Sequence, residues 1–293
     1  MATEWEGKSR GTLLGYKIYI FFLKNFGIAS AYFLLHFVIF YYILFSPRSN
    51  RDTYAYFRKR HGYSRGKSIL SIYKSYYTFG KTLTDKVAIS TGLRHKFTYT
   101  HDGIEHIDNL LQKNQGGILI SGHVGNFEIS HYFLENRYSI SKISMVTTQA
   151  EQRNIQEYLS QMSMDTTLEL ILVKDDMSHI FEIHAALEKG GLVVITGDRF
   201  LPGGKYLTEN FMGAPAKFPL GPFRLASRLK VPVLFVYVMK GKKRNYRLYA
   251  RQAEAKGRDA QALLKEYTES MEWVLEKYPL QWFNYFDFWE DYS

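Results

Sequence analysis

From residue 97 onward, short apolar runs rich in β-branched residues alternate with amphipathic stretches, and this alternation leaves the chain few folds to choose from. Strand signals fall at residues 97–100, 117–121, 142–147, 168–173, 192–196, 231–237 and 246–250. Helical periodicity fills the intervals, beginning at Ile104 and covering residues 127–134, 152–162, 180–189, 223–229 and 260–278. Strands separated by helices are joined by crossovers, and crossovers make parallel sheets. The expectation is an α/β domain over residues 51–293, with a mainly parallel central sheet flanked by helices. No internal repeat or low-complexity linker divides it.

Residues 1–50 are of another kind. The run 27–45 contains no Asp, Glu, Lys or Arg and is about long enough to cross a bilayer core. Pro47 and Arg48 close it, and no small-residue cleavage site follows, so it does not read as a signal peptide. Residues 1–50 are therefore expected to be a membrane-associating segment, spanning the bilayer or lying as a hairpin in its interface, with a hydrophobic shelf packed on the domain as the plain alternative. Lys17 and Lys24 precede the run and Arg48 and Arg51 follow it, so charge asymmetry does not orient it. A dense basic stretch comes next (Arg48, Arg51, Arg58, Lys59, Arg60, Arg65, Lys67), interleaved with Tyr54, Tyr56, Phe57 and Tyr63. With a net charge of +10, the chain calls for an anionic partner. No nucleic-acid-binding module is recognisable, so the expected partner is a membrane with anionic headgroups rather than nucleic acid. The chain has no cysteine, which rules out thiol nucleophiles, Cys-type zinc sites and disulfides.

The stretch Gly116-Gly117-Ile118-Leu119-Ile120-Ser121-Gly122-His123-Val124-Gly125-Asn126-Phe127-Glu128 reads as a buried strand, a glycine turn and a helix opened by an Asn126 cap. His123 sits on the turn and Glu128 in the first turn of the helix, where imidazole and carboxylate can converge. A carboxylate holding one ring nitrogen makes the other a better base. An isolated His-x4-Glu is more often an unrelated pair at a loop–helix junction; the flanking glycines and the preceding strand favour function. Ser121 lacks the Gly-x-Ser-x-Gly elbow of a hydrolase nucleophile. Backbone N–H groups at Gly125 and Asn126 are candidate oxyanion donors.

A second constellation, Gly197-Asp198-Arg199-Phe200-Leu201-Pro202-Gly203-Gly204-Lys205, follows the strand at 192–196. Sites in parallel sheets gather at the carboxyl ends of strands, so Asp198 and Arg199 are expected near His123. Arg199 is suited to bind a phosphate bidentately and Lys205 to add a point charge; a structural Asp–Arg pair is the plain alternative. Residues 211–222, with Pro215, Pro219 and Pro222, read as a rigid loop. There Phe211 and Phe218 line an acyl channel or belong to the core.

Taken together, His123-x4-Glu128, the Gly197-Asp198-Arg199 block and Val231-Pro232-Val233 resemble the glycerolipid and lipid A acyltransferase superfamily. The Gly213-Ala214-Pro215-Ala216 loop, Tyr278-Pro279-Leu280-Gln281-Trp282 and the N-terminal apolar anchor are more similar to the lauroyl/myristoyl branch of lipid A biosynthesis. The resemblance runs over residues 16–290. It implies acyl transfer from an acyl thioester, on acyl carrier protein or coenzyme A, to a hydroxyl or amine of a lipid acceptor. His123 would be the general base and Glu128 its orienting acid; Asp198, Arg199, Lys205, Gly125 and Asn126 would line the substrate site. It further implies no cofactor beyond that co-substrate, no metal, and a place at the cytoplasmic face of a bacterial inner membrane. Two rival readings are a membrane protein that binds lipid without catalysis and a lipid hydrolase using the same pocket.

Overall fold

The computed structural model describes residues 13–130, 143–147, 168–174, 176–199, 203–255 and 257–289; the side chains of residues 13–20, 24, 128 and 168 are outside the description. Expected helix 152–162 lies outside the described residues. Nine strands are described: β1 (Thr98–Asp102), β2 (Gly117–Ser121), β3 (Ile143–Thr147), β4 (Leu168–Leu172), β5 (Leu192–Thr196), β6 (Tyr206–Phe211), β7 (Ala214–Pro219), β8 (Val233–Lys240) and β9 (Asn245–Gln252). Seven of them form one sheet in the order β1-β9-β8-β2-β5-β3-β4. β8, β2, β5, β3 and β4 run parallel; β9 runs against β8 and takes β1 with it. The α/β expectation holds, with β2 at the centre.

Both faces of the sheet are covered, which is why its central strands read as continuous apolar runs. Successive side chains of a strand point to opposite faces. Ile118 and Ile120 of β2 join the cluster built with α6 (Leu220–Arg228) and α7 (Ala260–Lys277), through Phe223, Leu264, Tyr267 and Met271. Leu119 turns the other way, toward α3 (Arg65–Ser90) and α4 (Ile104–Gln112), through Val87, Ile107 and Leu110. Among the described residues the sheet region has one further helix, α5 (His179–Glu188).

Residues 211–222 are not a loop. β6 and β7 pair antiparallel as a separate hairpin, with Phe211 opposite Ala214. Met212 (φ 51°) and Gly213 (φ 80°) turn it, the double positive φ of a tight hairpin connection. Pro215 and Pro219 fit because a two-stranded ribbon has free edges. Phe211 and Phe218 are fully buried and pack with Trp282, Phe288 and Tyr267. They belong to the core.

The apolar N-terminal segment forms α1 (Leu13–Phe45), kinked at Gly27, whose φ of 82° and ψ of −178° suit only glycine. Ile28, Ala31, Leu35 and Ile39 lie on one face at helical spacing and are buried, packed along α3. Gly80 of α3 lets Leu35 approach: a Cβ there would sit 2.9 Å from Leu35 Cδ2. α1 is followed by α2 (Pro47–Ala55) and a π turn over Tyr56–Arg60.

A buried polar cluster ties these layers together. Asp85 of α3 accepts from Lys240 Nζ of β8, from Tyr246 Oη of β9 and from Tyr32 Oη of α1. Lys240 Nζ also lies 3.3 Å from Tyr32 Oη. Burial pushes the Lys240 pKa down, against the pull of Asp85. Removing one member of a buried pair leaves the other uncompensated. Lys240→Ala is therefore expected to cost about 3–5 kcal/mol, read as a lower urea midpoint by circular dichroism.

A second consequence concerns acid stability. His61 sits against Tyr56, with ring centroids 4.8 Å apart, and against Tyr63 at 5.5 Å. Burial, helped by the Lys67 charge, lowers its pKa from 6.5 to about 4. Between those values the unfolded chain binds a proton that the folded chain refuses, so stability falls as pH drops through that window. His61→Phe is expected to flatten the fall, measured as urea midpoints at several pH values from 7 down to 4.

Candidate active site

β2 and β5 are parallel neighbours with Ser121 opposite Thr196. Carrying that register two residues past each strand end brings His123 opposite Asp198. The contact follows: His123 Nδ1 lies 2.8 Å from Asp198 Oδ1, and the His123 backbone N–H donates to Asp198 Oδ2 at 2.7 Å. One carboxylate thus holds both the ring and the main chain of the same residue. Asp198 is fully buried, whereas the His123 side chain is 24% exposed. Nδ1 faces the buried acid, so the exposed part of the ring is its far side, which carries Nε2. With a carboxylate on Nδ1, the proton belongs on Nδ1 and the lone pair on Nε2.

Electrostatics agree with this assignment. Burial alone would raise the Asp198 pKa, but the His123 ring and N–H and the Arg199 charge outweigh it and hold the carboxyl below its ordinary value of 3.8. Asp198 is therefore an anion at neutral pH, able to stabilise an imidazolium on His123.

The small residues of this region leave room for the contact. A Cβ on Gly122 would come 2.8 Å from Tyr267 Oη and 3.2 Å from Asp198 Cγ. Tyr267 Oη and the Gly197 N–H both donate to the Ser121 carbonyl, at 3.0 and 2.8 Å, and so fix the end of β2. Ser121 itself is fully buried, which removes it as a nucleophile.

The rest of the glycine turn is held from behind by residues 281–283. Val124 bridges Trp282, the Phe283 N–H donates to the His123 carbonyl at 2.9 Å, and the Gly125 N–H donates to the Gln281 carbonyl at 2.8 Å. The Gln281 side chain bonds both backbone groups of Lys240, pinning this segment to the end of β8. Nothing in the local pattern of Tyr278-Pro279-Leu280-Gln281-Trp282 announces that role; its only signal was the resemblance to a family.

Other expected site residues fall differently. Gly125, at φ 65°, is pressed so closely to β8 that a Cβ would sit 2.2 Å from the Val238 carbonyl oxygen. Its N–H is taken by Gln281, and the Asn126 N–H by Val238 at 2.7 Å. The Asn126 side chain donates to the Thr82 carbonyl at 2.9 Å. These groups are structural anchors, which corrects the expectation of an oxyanion hole there: a spent N–H cannot serve a second acceptor well. Arg199 lies beside Asp198, as expected, and donates from Nη2 to the Phe283 carbonyl at 3.1 Å. Lys205 is exposed before β6, its carbonyl accepting from the Leu220 N–H. Residues 127–129 open the expected helix as a 3-10 turn, Ser130 is helical, and residues 131–134 and the side chain of Glu128 lie outside the described residues.

A cavity of about 1100 Å³ opens among Arg228, Lys230, Pro232, Arg251 and Arg258. It lies at the opposite end of the sheet, where β8 begins beside Ile118, and takes no part in the arrangement around His123. Among the described residues no group of His, Asp and Glu is placed to hold a metal ion.

What the site offers is a base, its Nε2 turned outward, on an ionised buried acid at the carboxyl ends of two central parallel strands. Such a pair has the chemistry of a general base. No curated protein matches the chain at a significant level. The model of the bacterial lipid A biosynthesis acyltransferase family matches residues 72–289, a span that holds His123, Asp198, Arg199 and the 281–283 segment. The chain belongs to the bacterial lipid A biosynthesis acyltransferase family.

Proposed function

We propose that this acyltransferase moves a fatty acyl chain from an acyl thioester, on acyl carrier protein or coenzyme A, to a hydroxyl or amine of a lipid acceptor. His123 takes the acceptor proton on Nε2 as the oxygen or nitrogen attacks the thioester carbonyl. Asp198 holds the ring in the productive tautomer and balances the imidazolium that forms, the division of labour of a hydrolase triad. The tetrahedral intermediate then collapses, the thiolate leaves, and the His123 proton returns to it. A thioester is already activated, so no acyl-enzyme is needed. Arg199 and Lys205 supply positive charge for a phosphate of the acceptor or of the pantetheine arm. Glu128 is kept as a second acid of the site. The reaction runs at the cytoplasmic face of a bacterial inner membrane, where thioester donors and lipid acceptors meet.

The observation that carries this reading is the 2.8 Å contact between His123 Nδ1 and Asp198 Oδ1 within a family of lipid acyltransferases. Its test is mass spectrometry of the lipids formed when the purified protein meets acyl carrier protein or coenzyme A thioesters, with and without lipid A precursors. The expected product is an acceptor heavier by one acyl chain. Release of free fatty acid at the same rate whether or not an acceptor is present would instead mark a hydrolase. No consumption of any thioester would leave a lipid-binding protein.

A further inference from the structure

We infer that α1 does not cross the membrane but lies along it, seated by its outer face in one leaflet that carries anionic headgroups. The residues that follow α1 would meet those headgroups. The inference deepens the proposed reading by specifying how the enzyme meets its lipid substrate.

Residues 25–45 of α1 are long and apolar enough to span a bilayer, and only 22% of the most apolar window is buried, so α1 is no ordinary core helix. Its exposure is one-sided. Phe33, Phe37, Phe40 and Leu44 are 62%, 64%, 64% and 58% exposed, at spacings of four, three and four that line up a single stripe. Phe26, on the other side of the kink, is exposed as well, and Phe45 extends the apolar surface at the far end. A surface of this kind in contact with water is unusual for a soluble domain.

The opposite face is fastened to the catalytic domain. Tyr32 bonds Asp85, while His36 contacts the Tyr73 hydroxyl and stacks on Tyr77; Ile39 packs with Ile72 and Tyr76. The two helices are antiparallel neighbours from Ile28 to Ile43, and Asn50 of α2 braces the far end, donating to the Ile43 carbonyl and accepting from Tyr76 Oη. Sixteen residues of helix cover about 24 Å, most of a hydrocarbon core of about 30 Å. Standing α1 upright across a bilayer would drag α3 in with it, together with Lys74, Lys81, Asp85 and Lys86. Detaching α1 would strip Tyr32 from the buried Asp85–Lys240 pair. Residues 13–27, on the near side of the kink, are too few to span alone. Lying in the plane satisfies every one of these contacts and buries the stripe in acyl chains.

Charge names the lipid. Arg48, Arg51, Arg58 and Lys59 are all exposed and follow directly on the apolar stripe, in α2 and the π turn. Basic residues at the edge of an apolar membrane face bind anionic headgroups.

The absence of cysteine from the chain makes the test clean. Single substitutions Phe33→Cys, Phe37→Cys, Phe40→Cys and Leu44→Cys in the full chain are labelled with bimane. They are then bound to vesicles of phosphatidylcholine and phosphatidylglycerol at 7:3, carrying nitroxide lipids at graded depths. In-plane seating predicts one shallow depth at all four positions. A steady change of about 16 Å from Phe33 to Leu44, the rise of 11 helical residues, would overturn it, as would labels that stay in water. Reversing Arg51, Arg58 and Lys59 to Glu is expected to lower partitioning onto these vesicles about a hundredfold. An unchanged partition coefficient would refute the headgroup contact. Transfer to an acceptor dispersed in detergent should survive that reversal. Loss of docking with activity retained in detergent supports the surface, whereas absent activity in the unaltered chain speaks only against the enzymatic reading.

Discussion

His123→Ala is expected to cut acyl transfer by about three orders of magnitude, toward the upper end of what a general base contributes. That is roughly 4 kcal/mol of lost transition-state stabilisation. The loss should fall on kcat, with the KM for the thioester nearly unchanged, because the proton is in flight only in the transition state. The fold should survive. Asp198 keeps the backbone N–H of residue 123 at 2.7 Å and the neighbouring Arg199 charge, so only one hydrogen bond is lost, about 1–2 kcal/mol. The measurement is thioester consumption together with product mass, alongside thermal unfolding of the same preparation. Product formed at the unsubstituted rate would remove His123 from the mechanism, and with it the case for general-base transfer. His123→Asn is a useful companion: its amide restores a donor toward Asp198 but offers no base, so it should be more stable than the Ala variant and equally inactive.

The sheet could be read from the sequence because its central strands are short, apolar and β-branched and lie between helical stretches. Residues 117–121 and 192–196 are found as expected. The meeting of His123 with the Asp198 block at one end of the sheet could also be anticipated, from the rule that parallel sheets gather their sites at strand carboxyl ends. That the Asp198 carboxylate holds the imidazole could not. Glu128 is five residues from His123 and Asp198 is 75 away, so proximity in the chain favours Glu128. The contact with Asp198 depends on the β2–β5 register, and register is set by how whole strands pack. The hairpin escaped notice for a local reason. Its turn is Met212-Gly213 rather than Asn-Gly, and its prolines sit on a free ribbon edge where they do no harm. The brace at residues 281–283 acts mostly through backbone groups, which leave no mark in side-chain patterning. Gly125 could be seen as a turn residue. That its N–H is already committed depends on Gln281, more than 150 residues later.

Asp198→Asn compared with Glu128→Gln separates the two acids. In Asp198→Asn the amide cannot accept from both the His123 N–H and its Nδ1–H. If the carbamoyl oxygen keeps the backbone bond, the NH2 group faces the ring, Nδ1 must accept, and the proton moves to Nε2. That is the tautomer with no base toward the substrate, and a loss of about 10²–10⁴ in kcat is expected. Acid stability gives a second readout. The Asp198 carboxyl is held below its ordinary value of 3.8, so its contribution to stability is present above that pH and drains away as pH falls below it. Asp198→Asn should lack that part of the acid loss, seen as a flatter dependence of the urea midpoint below about pH 4. Glu128→Gln should lower kcat less than Asp198→Asn does if Asp198 is the partner of His123. The reverse order, with Glu128→Gln nearly inactive and Asp198→Asn close to full rate, would return the orienting role to Glu128 and leave the Asp198 contact as scaffolding for the end of β2.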